Sequence, residues 1–337
     1  MRNIYDLDFD KMSEFLKEHD EKPFKANQIF DWLYKKRVTS FDQMTNLNKK
    51  FIEKLKTTFI FGDITILKKQ KGKDVYKYLF ELSDGEKIEA VLMFHNYGIS
   101  LCVSTQVGCN IGCLFCESGR LKKVRNLTSG EMVLQILKIE EDIGKRISHV
   151  VIMGIGEPFD NYDEVMRFVR TINDNKGIGI GARHITISTS GLVPKINDFA
   201  KENLQVNLAI SLHAANDEIR NKIMPINKVY NIDSLISVVK SYIKQTNRRV
   251  TFEYIMLEGI NDNVSCAHEL SFLLKGINCY VNLIPYNETN NFSFKKSSNT
   301  NIMRFYDILK KNNINVTVRR EFGGELDAAC GQLRSTN

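Results

Sequence analysis

Three cysteines on one short loop set the first chemical expectation for this sequence. Cys109, Cys113 and Cys116 fall in the run CNIGCLFC, a C-x3-C-x2-C spacing. Three thiolates so placed can each take one iron of a [4Fe–4S] cubane and leave the fourth iron without a protein ligand. An open iron invites a chelating substrate, here through the amino and carboxylate groups of S-adenosylmethionine (SAM). A structural zinc site wants a fourth ligand, and the nearest histidine, His95, lies 14 positions before Cys109. A disulfide framework fits poorly, because the number of cysteines is odd and the chain reads as cytosolic.

Other residue types could serve the same centre. The run Gly154-Ile155-Gly156-Glu157-Pro158 would let backbone approach a ligand closely and offers the Glu157 carboxylate to an amino group or hydroxyl. Ser188, Ser211 and Asn287 are short hydrogen-bonding side chains at expected strand ends, suited to carboxylate and ribose contacts. Taken singly, each of these also reads as an ordinary turn residue. Cys102 precedes the three-cysteine loop by seven residues. Cys330 sits in LDAACGQL, where Asp327 before it and Gly331 after it suggest a presented thiol. Glu89, in KIEAV, alternates with apolar neighbours, a pattern that also fits a strand residue facing solvent. Cys266 and Cys279 lie in apolar surroundings and read as small core residues.

The elements that must position these groups follow from periodicity. A chain of 337 residues is long enough for one large domain and a small accessory one. The first 60 or so residues carry apolar stripes at helical spacing: Met12, Phe15 and Leu16, then Ile29, Trp32 and Leu33, then Phe51 and Leu55. From 64 to 94 the pattern is strand-like. From residue 99 a strand–helix rhythm begins, with strands expected at 101–104, 149–153, 184–188, 206–212, 250–256 and 280–284. Thr128 and Glu131 form a capping-box signature ahead of the first intervening helix. Six strands alternating with helices predict an α/β fold with a parallel sheet and right-handed crossovers. An incomplete barrel and an open doubly wound sheet both fit. In either, the loops leaving the C-terminal strand ends build the site, and the cysteine loop, GIGEP, STSG, SLHA and PYN all fall there.

Composition narrows the class. No stretch approaches the ~18 consecutive apolar residues of a membrane-spanning helix. The N-terminus MRNIYDLDFDKMSEF lacks the apolar core of a secretory signal, so the expected location is the cytoplasm. A net charge of +7 favours an anionic partner, nucleic acid first. The basic residues crowd the N-terminal region, including Lys35, Lys36, Arg37, Lys49 and Lys50, and recur just after the cysteines at Lys122, Lys123 and Arg125. Solvated helix faces account for part of that charge.

With these residues in place, the chain resembles the radical SAM adenine methyltransferases of RNA, the RlmN/Cfr family. The likeness runs from KPFKANQIFDWLY through CVSTQVGCNIGCLFC, RNLTSGE, MGIGEPFDN, ITISTSG, AISLHA, MPIN and VNLIPYN to DAACGQL, nearly the whole chain. It implies a partial (β/α)6 TIM-like barrel of the radical SAM type with a small helical N-terminal accessory domain. The implied divisions are an RNA-contacting domain at 1–62, a linking β segment at 63–98 carrying Glu89, and a barrel at 99–337 ending in a methyl-carrier loop.

The resemblance also implies roles. Cys109, Cys113 and Cys116 would hold one [4Fe–4S] cluster, and Gly156, Glu157, Ser188, Ser211, Leu212, His213 and Asn287 would bind SAM. Cys330 would carry a methyl group taken from one SAM, and a second SAM, cleaved at the cluster, would activate that methyl as a radical. The methylene radical would add to an adenine carbon, giving a covalent protein–RNA adduct. Glu89 would accept a proton and Cys102 would attack Cys330, releasing methyladenine and a transient disulfide. Implied partners are 23S rRNA (adenine 2503), tRNA (adenine 37) and an electron donor such as flavodoxin, with the protein acting as a monomer. The RlmN type modifies adenine C2 and the Cfr type C8, and the quoted motifs are common to both. Overall likeness, including TVRREFG before the last motif, favours C2. One departure is Glu117, which follows Cys116 where small uncharged residues are expected.

Overall fold

Short amphipathic helices open the chain. The computed structural model describes residues 1–289 and 291–319. A two-residue strand β1 (Arg2–Asn3) pairs in parallel with β2 (Phe59–Ile60), closing the ends of a helical unit. Helix α1 (Phe9–Glu18) starts where the Asp8 carboxylate accepts the Lys11 N–H, and it buries Met12, Phe15 and Leu16. Helix α2 (Phe24–Phe30) runs on into a π-turn at Asp31–Lys35, and together they bury Ile29, Phe30 and Leu33. Helix α3 (Lys49–Thr58), capped by Asn48, buries Phe51, Ile52 and Leu55. Trp32 packs against the same core while half-buried: its indole N–H donates to Asn46 Oδ1 at 2.6 Å, and Lys36 Nζ lies 3.5 Å from its ring centroid.

The strand-like region becomes an antiparallel meander of β3 (Thr65–Lys71), β4 (Val75–Glu81) and β5 (Lys87–His95). It is part of the main sheet, because β5 pairs with β6 (Gly98–Cys102). A short ribbon, β7 (Gln106–Val107) against β8 (Arg125–Asn126), brackets the cysteine loop. The strand–helix series then runs α4 (Ser129–Ile143), β9 (His149–Ile152), α5 (Tyr162–Asn173), β10 (Ile185–Thr189), α6 (Val193–Phe199) and β11 (Asn207–Ser211). It continues with α7 (Asp217–Ile223), α8 (Ile232–Thr246), β12 (Val250–Met256), α9 (Val264–Leu273), β13 (Cys279–Pro285), α10 (Asn299–Lys311) and β14 (Val316–Val318).

Strand order decides between the two architectures left open by periodicity. From β6 through β9, β10, β11, β12 and β13 to β14, each strand pairs in parallel with its predecessor on the same side. A doubly wound sheet reverses its strand order partway. A series that never reverses, with right-handed crossovers, puts its helices on one face and curls toward a barrel. The series holds one more strand than the six expected, the three-residue β14, too short to show alternation. Three antiparallel strands extend the opposite edge. No described helix is long and apolar enough to cross a membrane.

The N-terminal helices and the outer face of the sheet share one continuous apolar core, running from Ile4 and Phe30 to Val133, Ile187 and Val281. Polar contacts fix the join at both ends of α4. The Thr128–Glu131 capping box forms as expected. The Gly130 N–H donates to Asp6 Oδ1 at 3.0 Å, and Arg37 pairs with the buried Glu140. A Cβ on Gly130 would lie 2.6 Å from Asp6 Oδ1 and 3.0 Å from the Tyr5 carbonyl carbon. Gly130→Val should therefore push the first residues off α4 and cost about 1–3 kcal/mol. Thermal unfolding should show a Tm several degrees lower, and an unchanged Tm would contradict this packing.

Candidate active site

The cysteine loop leaves the sheet at a pinned strand end. Just beyond β6, Ser104 is held by the Gln135 amide, which accepts its N–H and donates to its carbonyl, both at 3.0 Å. Within the loop, the Cys109 N–H donates to the Leu121 carbonyl at 2.8 Å and the Leu114 N–H to the Ile223 carbonyl at 3.0 Å. Phe115 anchors the centre of the loop among Ile223, Met224 and Ile255, edge-on to the His213 ring at 4.9 Å. Gly119 has to be glycine, since a Cβ there would stand 2.8 Å from the Cys113 carbonyl oxygen.

Cys109, Cys113 and Cys116 line one cavity together with Gly156, Glu157, Ser188, Ser211 and His213. The strand-end motifs do converge on one mouth. Burial pushes the Cys113 thiol well above its ordinary range and the Cys109 thiol up to about 12, so this wall disfavours anionic sulfur unless a cation compensates it. Among the described residues no three His, Cys, Asp or Glu side chains converge on a point, as a single ion would need. Thiolates of a cubane each take a different iron and need no such convergence. The donor set fits an iron–sulfur cluster with an open site.

The remaining walls are built from backbone. Gly156 has φ +107°, and a Cβ there would be 2.7 Å from Gln106 Cβ. Gln106 Oε1 in turn accepts the Glu157 N–H at 2.9 Å. The Glu157 carboxylate accepts the Phe159 N–H at 3.0 Å and the Ser190 N–H at 2.7 Å, so it fastens the loop after β9 to the loop after β10. Burial raises its pKa, and those hydrogen bonds oppose the rise. His213 adopts a left-handed φ of +58°. Its Nδ1 accepts the Ile255 N–H at 3.0 Å, and burial pulls its pKa down to about 3, which leaves a neutral ring with its proton on Nε2. Leu212 turns its side chain into the core, so only its backbone faces this region. Asn287 is half-buried just past β13 and lies outside the residues lining the cavity.

A second group of expected residues meets on the inner face of the sheet. Register places Lys77, Val91, Cys102 and Val151 in one cross-strand row over β4, β5, β6 and β9. Glu89 lies on the same face, two residues before Val91. It does not face solvent: it is 3% exposed and its Oε1 is 2.8 Å from Lys77 Nζ. Cys330 lies outside the described residues. Cys266 and Cys279 are buried, as their surroundings suggested.

One feature of the site carried no sequence signal, and a second, flagged by sequence, is explained by the fold. Arg220, wholly buried, donates to the carbonyls of Ser190 at 2.7 Å, Ser211 at 3.1 Å and Leu212 at 3.0 Å, and to Asn227 Oδ1 at 2.8 Å. It ties the ends of β10 and β11 to the MPIN turn. Burial lowers its pKa to about 10, which leaves it charged at neutral pH. Glu117, the departure beside Cys116, is buried and shared between Asn291 Nδ2 at 3.0 Å and Arg120 Nη1 at 3.3 Å. Its charge is therefore matched locally.

A curled parallel sheet with three thiols at its strand-end cavity defines a radical SAM enzyme, and residues 103–264 match the radical SAM superfamily. Such enzymes work with a [4Fe–4S] cluster and SAM. Residues 2–60 match the N-terminal domain of ribosomal RNA large subunit methyltransferases. A relative from Streptococcus thermophilus (strain CNRZ 1066), named a probable dual-specificity RNA methyltransferase RlmN, is 54% identical over 99% of this chain and 88% of its own. One of the same name from Listeria welshimeri is 54% identical over 99% and 93%. The crystal structure of a radical SAM methyltransferase from Sphaerobacter thermophilus superposes with a TM-score of 0.93 at 42% identity, covering 100% of both chains. The chain belongs to the RlmN family of dual-specificity RNA methyltransferases.

Arg220→Met should strand four buried acceptors and cost about 3 kcal/mol or more. Arg220→Lys should not restore the loss, since one ammonium cannot span three segments. Urea midpoints measure both, and a lysine variant as stable as the parent would contradict the assignment.

Proposed function

We propose that this enzyme methylates C2 of adenine in RNA by way of a methyl group carried on the protein. The observation that carries the reading is that Cys102, on the strand that leads into the cysteine loop, shares the inner face with the buried Glu89, one residue pair away across β5 and β6. In this reading Cys109, Cys113 and Cys116 hold the cluster. Gly156, Glu157, Ser188, Ser211, His213, Asn287 and the backbone of Leu212 hold SAM. When bound, the cluster and SAM supply the electron and the 5′-deoxyadenosyl radical that activate the carried methyl group.

The chain's own residues do the rest. The sulfur of Cys330 receives the methyl group from one of two SAM molecules used per turnover. This detour answers a chemical need, because an amidine carbon such as adenine C2 is not nucleophilic and cannot take a methyl group by direct displacement. Once that carbon is linked to Cys330, Glu89 accepts the proton that leaves it. The unpaired electron left by radical addition would return to the oxidised cluster. The Cys102 thiolate then attacks the Cys330 sulfur: the S–S bond forms, the C–S bonding pair leaves with the methylene carbon, and that carbon takes up a solvent proton, so the base departs methylated. The position of Cys102 on the inner face, at the end of β6 just before the cysteine loop, supports this sequence of events.

The substrates we assign are adenine 2503 of 23S rRNA and adenine 37 of tRNA, contacted through the N-terminal unit at 1–62, with the 63–98 segment supplying Glu89 and 99–337 the barrel. A flavodoxin-type electron donor, a monomeric enzyme and a cytoplasmic location complete the reading. The RlmN names of the quoted relatives favour C2 over C8. Nucleoside mass spectrometry of treated RNA should find 2-methyladenosine, and 8-methyladenosine alone would overturn the assignment. Cys330→Ala should abolish transfer, and Cys102→Ala should trap a protein–RNA adduct. Normal turnover by either variant would contradict the role given to that cysteine.

A further inference from the structure

The inner face of the meander carries an ion pair where the surrounding surface is apolar. Val75, Val91, Met93 and Ile155 cluster there against Cys102 and Val151. Within this patch Lys77 Nζ lies 2.8 Å from Glu89 Oε1, with side chains 6% and 3% exposed. The backbone of Glu89 is held as well, its carbonyl accepting the Ser104 hydroxyl at 2.6 Å. A buried ion pair seldom stabilises a fold more than an apolar pair of the same shape. Its presence beside Cys102 therefore calls for a chemical reason.

We propose that Lys77 is a positioning residue that keeps Glu89 ionised and fixes its carboxylate, so that the pair acts together as the proton acceptor. The inference rests on the reading of Glu89 as that acceptor. A carboxylate left alone in an apolar wall takes up a proton, and a neutral acid accepts nothing. An ammonium at ion-pair distance favours the charged form and holds the side chain in one orientation. The other titratable groups that register places on this face from β3 to β9 are Lys68 on β3, the cross-strand pair Glu81 and Lys87 one rung beyond Glu89, His95 at the far end of β5, Cys102 on β6 and His149 on β9. The step is a plain proton transfer. The hydrogen on the adenine carbon of the covalent adduct passes as a proton to a Glu89 oxygen, and the C–H bonding pair stays in the base.

Single turnovers of the reconstituted holoenzyme with RNA test this through the lifetime of the protein–RNA adduct on denaturing gels. Lys77→Met should release the adduct roughly tenfold or more slowly at neutral pH. Lys77→Arg, which keeps the charge, should restore most of the rate. Cys330 methylation, read by protein mass, and release of 5′-deoxyadenosine should stay near parent levels. A Lys77→Met adduct with the parent's lifetime overturns the proposal. Glu89→Gln separates the two readings: if it accumulates adduct while Lys77→Met does not, only the role of Lys77 fails. If Glu89→Gln accumulates none, the acceptor reading itself fails. Lys77→Gln carries the same test should the methionine variant not fold.

Discussion

The structure depends on a parallel ladder that never changes direction. In the main sheet β9 pairs in parallel with β6, and each strand from β10 to β14 pairs in parallel with the one before it. All their C-terminal ends therefore reach one rim, and the cysteine loop, GIGEP and STSG lie on loops leaving that rim. Parallel strands buried on one face under helices read as near-continuous apolar runs, as HVVI and NLAIS do here. The polar residues begin where the strands stop. The cavity lined by Cys109, Glu157, Ser188 and His213 is thus a consequence of topology before it is one of catalysis.

A second constraint is the cost of placing charge inside that frame. Arg220, Glu157 and the Lys77–Glu89 pair are all buried near the rim. Each is satisfied in its own way: Arg220 by carbonyls from three segments, Glu157 by two backbone amides, and Lys77 and Glu89 by each other. The first two act as struts that hold loops from neighbouring strands at fixed separations. Such rigidity suits a site that must handle a radical, because preorganised dipoles and excluded water suppress side reactions.

The parts legible in the sequence are those whose physics is local. Cysteine spacing, glycines where backbone must pass closely, and the Thr128–Glu131 cap are written within a few residues of one another. The strands β6 and β9 to β13 announced themselves by apolar runs at regular intervals. The three-residue β14 could not, nor could the joining of the meander to the sheet, which depends on pairing between β5 and β6. Lys77 reads as one more residue of an alternating strand, and Arg220 as one of several charges on a short helix. Their partners lie on other segments, so only the fold reveals them. Glu89 shows the same limit from the other side, since alternation alone made it look solvent-facing.

The central claim is that the methyl group passes through the protein and loses a hydrogen on the way. A direct test uses SAM carrying a fully deuterated methyl group and measures the mass of methyladenosine in the RNA. After prior turnovers have loaded the carrier with label, the account predicts two deuterium atoms in the product methyl group, the third position being filled by solvent hydrogen. Retention of all three would mean direct transfer from SAM and would contradict it.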